Sequence, residues 1–182
     1  MPPLKAPEFT RLARSRLEHS LKAAGFKRTP KAAPASWSRP EGELWLTFWF
    51  QPRSSNDAHS AGYRFTMEFL LGPEPKIYGR GFRQRFPTLL TDEGREQLRH
   101  LENQAIARLP PPDMRFIDGL PPSTREQVLG GWLPRSKPYG RDEDVWMRQG
   151  SQEDVEALLD FILAQLPDVT ETFISRARAT AS

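Results

Sequence analysis

The stretch Glu43-Leu44-Trp45-Leu46-Thr47-Phe48-Trp49-Phe50-Gln51 constrains the fold more than any other part of the chain. Alternation along a strand puts Leu44, Leu46, Phe48 and Phe50 on one side and Trp45, Thr47 and Trp49 on the other. Both sides are mostly apolar. A strand with one wet face alternates apolar with polar residues, so this one is expected to be central and covered on both faces. No catalytic group stands on it. It predicts the floor of a core rather than a chemistry.

The neighbouring segments read as its partners. Tyr63, Phe65, Met67, Phe69 and Leu71 alternate with Arg64, Thr66 and Glu68, which predicts an antiparallel strand over 63–71, ended by Gly72-Pro73. Ser36-Trp37-Ser38-Arg39 predicts a short strand before the turn Pro40-Glu41-Gly42. Residues 27–36 read as a basic loop and 53–62 as a polar one. A further strand is expected to begin at Lys76–Tyr78, with Gly79-Arg80-Gly81 as a bulge or turn.

Three helical stretches frame this sheet. Phe9, Leu12, Ala13, Leu17, Leu21 and Ala24 predict a helix from about 7 to 24, with Pro7 in its first turn, Gly25 as its left-handed stop and Phe26 folding back. Thr91-Asp92-Glu93 opens a second helix to about Leu109, with Leu98, Leu101, Ala105 and Leu109 as its stripe. Ser151 with Asp154 starts a third, in which Val155, Leu158, Leu159, Ile162, Leu163 and Leu166 keep helical spacing. Pro167 is expected to break it, with Asp168 and Glu171 opening a final short helix. The Pro- and Gly-rich run 110–141 predicts an excursion with one short helix at Ser123 and Glu126, and Asp144 to Arg148 a last strand bearing Trp146. These elements amount to one α+β domain over 1–182, an antiparallel sheet of about four to five strands with helices packed on it.

Composition bounds the chemistry. The 18 prolines in 182 residues are about twice the usual share of roughly 5%, and place extended connections between elements. There is no cysteine, which excludes disulfides, thiolate metal sites and cysteine nucleophiles. No apolar run reaches the ~18 residues of a membrane span, and Arg11, Arg14, Arg16 and Glu18 interrupt any signal-peptide core. A cytoplasmic protein without membrane contact is expected. The net charge of +3 is uneven. Residues 1–32 hold eight basic side chains against Glu8 and Glu18, whereas 142–171 hold nine acidic ones against Arg148. The two ends either pair, or the first offers a basic surface to an acidic partner.

The order of several pieces resembles a known family. These pieces are the helix ending in Gly25-Phe26, the strand with Trp37-Ser38-Arg39, the apolar strand ending in Gln51, Phe65-Thr66 with Gly72 behind it, and Asp144 to Trp146 before the last long helix. Together they resemble the bacterial domain-of-unknown-function family numbered 4304, over about residues 8–72 and 142–166. The family pattern follows the Gln with a Lys-Ser pair, where this chain has Pro52-Arg53-Ser54; the helix at 91–109 and the run 110–141 have no match in it. The family brings no established activity. The placing of some members near bacterial toxin or defence genes implies a binding or immunity-like role.

Motifs for catalysis are absent or broken. His19, His59 and His100 lack metal-ligand spacing, so no metal or cofactor is expected. Gly79-x-Gly81 lacks the further residues of a phosphate loop, and there is no Gly-x-Ser-x-Gly. Glu74-Pro75-Lys76 spells a nuclease E-x-K, but its prolines oppose the strand such a site needs. The residues that draw attention are Lys76, Tyr78, Arg80, Arg83 and Arg85, where cations interleave with aromatics, and Trp132, set between Gly131 and Pro134 as a contact anchor. The arginines serve either as edge protection for the sheet or as a contact surface. The expectation is a non-enzymatic binding protein with a protein partner. The alternative is nucleic-acid binding through segment 76–86.

Overall fold

A computed structural model describes residues 4–29, 34–52, 64–140 and 146–181. The expected loop 53–62, Tyr63, His59 and the start of the strand at Asp144 lie outside the described residues. The sheet is antiparallel throughout. Its strands are β1 (Lys27–Arg28), β2 (Ser36–Glu41), β3 (Leu44–Pro52), β4 (Arg64–Gly72), β5 (Phe82–Arg85) and β6 (Met147–Arg148). The order is β1-β2-β3-β4-β5, and β6 also pairs with β4. The central position expected for the 43–51 strand is what β3 occupies, and residues 46–50 are buried on both sides.

The register sorts the side chains into two faces. Trp37, Phe48 and Phe69 form one cross-strand row, with Leu46, Leu71 and Phe82 in the next. Against this first face pack α1 (Ala6–Ala23) and α6 (Gln152–Ala181). Phe9 of α1 lies 4.5 Å from Phe65, ring to ring, and Phe173 of α6 lies 5.5 Å from Phe69 and 5.3 Å from Phe82. Phe9, Phe48, Phe50, Phe65, Phe69 and Phe173 are fully buried. Aromatic rings of this size dominate the area taken from water, so this face holds the domain together.

Local signals set the helix ends. In α1, the Lys5 amide donates to Glu8 Oε2 at 2.8 Å, while Gly25 takes φ +81° and lets the Phe26 amide reach back to the Leu21 carbonyl at 2.9 Å. The helix α3 (Asp92–Ala107) starts where Thr91 Oγ1 accepts from the Gly94 amide. In α6 the Asp154 carboxylate accepts from the Ser151 amide at 2.7 Å and the Ser151 hydroxyl accepts from the Asp154 amide.

Four expectations are corrected. The helix from Ser151 does not break at Pro167: α6 runs through it for 30 residues. Leu159, Ile162 and Leu166 before the proline, and Val169, Phe173 and Ala177 after it, bury along one stripe, and that burial outweighs the lost hydrogen bond. The strand expected at Lys76–Tyr78 starts later, at Phe82, because Tyr78 takes φ 59° in a turn. Lys27–Arg28, read as loop, pairs with Ser38 and Trp37 as β1. The run 110–141 carries two helices, α4 (Met114–Asp118) and α5 (Pro122–Gly130), and α5 is preceded by Pro121 rather than capped by Ser123. The four-residue α2 (Phe86–Leu89) has no periodicity long enough to read in sequence.

Candidate functional site

The second face of the sheet is polar, and much of it is buried. One cross-strand row runs Ser36, Trp49, Glu68, Arg85; the next runs Ser38, Thr47, Leu70, Arg83. Ser38 and Thr47 satisfy each other through their hydroxyls at 2.9 Å. The first row is different. Ser36 Oγ, Trp49 Nε1 and one Glu68 oxygen are buried with no hydrogen-bond partner, and so is Thr66 Oγ1 on the same face. Buried polar atoms are normally paired, so a cluster of unpaired ones marks a place where water or a polar ligand belongs.

Tyr78, in the turn before β5, and Arg83 and Arg85 of β5 itself stand on this face. Tyr78 is exposed and meets Trp49 edge-on at 5.4 Å between ring centroids. The Arg83 guanidinium lies over both rings, 5.5 Å from Trp49 and 5.9 Å from Tyr78. Arg85 Nε donates to Glu68 Oε1 at 3.3 Å and its guanidinium covers Trp146, while Arg83 stands 3.8 Å from the other Glu68 oxygen. Lys76 pairs with Glu74 on the surface. Arg80 is exposed, and its carbonyl lies where a side chain at Gly72 would go, which holds this turn on the end of β4. Of the residues singled out in sequence, Tyr78, Arg83 and Arg85 thus come together, Lys76 and Arg80 lie at the margin, and Trp132 stands apart. Its indole donates to the Pro110 carbonyl at 3.0 Å, bridging the two ends of the α4–α5 segment.

Tyr78 has a second role. It forms one wall of a groove of about 950 Å3 that runs beside α1. Arg11 and Arg14 of α1, Arg28 of β1 and Gln51 at the end of β3 line the same groove. Glu18 is its acidic residue and stands 3.8 Å from Arg28. The basic excess of residues 1–32 was legible in sequence, but its junction with Tyr78 was not, because 50 residues and three strands separate Arg28 from it.

A buried acid lies on the other side of β4. Glu102 of α3 is fully buried, and one oxygen accepts from the Tyr139 hydroxyl and the Arg148 amide, both at 2.7 Å. Its other oxygen has no partner. Burial pushes the Glu102 carboxyl up from 4.5 to about 7, the opposing pulls coming from Tyr139 and Arg148. Arg135 lies over the Tyr139 ring at 3.8 Å. This group ties segment 131–140 to α3 and β6.

Among the described residues no cluster of His, Asp and Glu is arranged to hold a metal ion, and no helix is long and apolar enough to cross a membrane. No family model, no curated protein and no solved structure matches the chain.

Proposed function

We propose that this is a binding protein whose groove beside α1 takes an extended acidic segment of a protein partner. The observation that carries the reading is the convergence of Arg11, Arg14 and Arg28 on one groove of about 950 Å3, with the Tyr78 ring and Gln51 as its far wall. Guanidinium groups supply bidentate donors for carboxylates, and an aromatic wall supplies contact area at low entropic cost. The family numbered 4304, which several segments of the sequence resemble, would bring a binding or immunity-like role, in keeping with a binding task.

Nucleic-acid binding through 76–86 is the weaker alternative. Arg83 and Arg85 are drawn onto Glu68 and Lys76 onto Glu74, which leaves few cations of that segment for phosphates. Fluorescence anisotropy with a labelled peptide rich in Asp and Glu and with single-stranded and duplex oligonucleotides separates the two. The expected result is peptide binding that Arg11→Ala with Arg28→Ala weakens about tenfold or more, at unchanged melting temperature. Oligonucleotide binding with a salt slope that Arg83→Ala lowers would favour the alternative. No binding of either at low salt overturns both.

A further inference from the structure

A separate cleft of about 810 Å3 opens where the end of α1, β2 and the second half of α6 converge. Its floor is apolar, made by Phe26, Leu163, Leu166 and Ile174. Its volume is that of a small-molecule site. Two polar groups in it lack partners. Thr170 is only 6% exposed, and its hydroxyl oxygen is buried with no hydrogen bond. Arg39 Nε is likewise buried and unpaired.

The Glu41 carboxylate is loosely held at the mouth. Glu41 lies between Arg39 and Arg178, at 3.6 and 3.5 Å, longer than a tight charge-assisted bond. Arg39 is fixed from below by the Phe26 ring, 4.8 Å under its guanidinium, and by its bond to the Ala24 carbonyl at 3.2 Å. Its fork is therefore positioned in advance, with Glu41 standing where an incoming carboxylate would bind. Exposed Glu171 lies farther out, on the α6 rim.

We infer that this cleft binds a small amphiphilic carboxylate, with its aliphatic or aromatic body on Phe26, Leu163, Leu166 and Ile174 and its head group on Arg39 and Arg178 in place of Glu41. Thr170 meets a polar substituent partway along the ligand. The site is distinct from the groove beside α1 and does not depend on that groove's function.

Calorimetric titration of the full chain with decanoate, decylamine and decanol tests this. Decanoate is expected to bind below about 1 mM and the other two at least tenfold more weakly. Arg39→Met is expected to weaken decanoate about tenfold, and the exposed Arg178→Met less. Glu41→Gln is expected to tighten it several-fold, because it removes the internal competitor. The Glu41→Gln arm and the Arg178→Met arm keep the test sound if Arg39→Met folds poorly. Absence of decanoate binding, equal binding of decylamine, or weakening by Glu41→Gln would each overturn the assignment.

Discussion

The two faces of the same sheet are built on different physics. The first, under α1 and α6, is a layer of phenylalanine rings and aliphatic chains without buried charge among its central rows. The second buries Glu68, Thr47, Thr66 and Ser36 beside Trp49, and several of their polar atoms are unpaired. The first face gains free energy from the rings and aliphatic chains it buries, although Trp37 Nε1 is buried there without a partner. The second forfeits some of that gain, since a buried polar atom without a partner costs roughly 1–3 kcal/mol. One β-strand therefore carries both the stability of the domain and the polar surface that stability supports.

This contrast can be broken most forcefully from the first face. Phe48→Ala or Phe65→Ala is expected to lower stability by ~3–5 kcal/mol, read from denaturant melts. Parent-like melts for both would mean the aromatic layer is not the main core.

The next effect comes from the buried acid of α3 and depends on pH. Glu102 keeps its proton up to about pH 7 when folded, whereas the unfolded chain loses it near 4.5. Between those values the folded state binds more protons, so stability falls as pH rises and levels off above 7. The shift corresponds to roughly 3 kcal/mol. Glu102→Gln is expected to flatten this slope in urea melts at pH 5 and pH 8. A variant with the parent's slope would place the titrating group elsewhere.

A smaller effect is expected from Arg85→Met, which leaves the buried Glu68 with Arg83 alone. About 2 kcal/mol should be lost, less than for an outright broken pair because one cation remains, and Glu68→Gln in the same chain should restore part of it. Additive losses in a double-mutant cycle would show the pair is uncoupled. The smallest change has the opposite sign. Thr66→Val removes an unpaired hydroxyl and is expected to stabilise by about 1 kcal/mol, while Thr47→Val, which breaks the bond to Ser38, destabilises by a similar amount. Equal signs for the two threonines would erase the distinction between paired and unpaired atoms on this face.

Sequence periodicity carried the first face and missed the meaning of the second. Alternation in 44–50 and 64–71 is a local signal, and so are the stop at Gly25 and the start at Ser151; each forms as read. Charge in 76–86 is local too, but its neutraliser is not: Glu68 belongs to another strand, and register alone brings Arg85 opposite it. Pro167 misled for a related reason. A proline's cost is visible in sequence, whereas the burial that offsets it comes from residues of the sheet. The cleft holding Arg39 and Thr170 draws on segments 131 residues apart, which no window on the chain can join.

The outer strands of the described sheet are short, and this governs how the protein behaves at high concentration. β1 has two residues, both charged, and the far side of β4 is shared between β5 with four and β6 with two. A second molecule approaching either margin finds only a few free backbone groups, interrupted on one side and beside Lys27 and Arg28 on the other. Sheet-to-sheet growth into fibrils needs a long, flat, unbroken row of such groups. Crowding should therefore leave folded molecules separate, and any polymer that forms should begin from chains that have already lost this sheet.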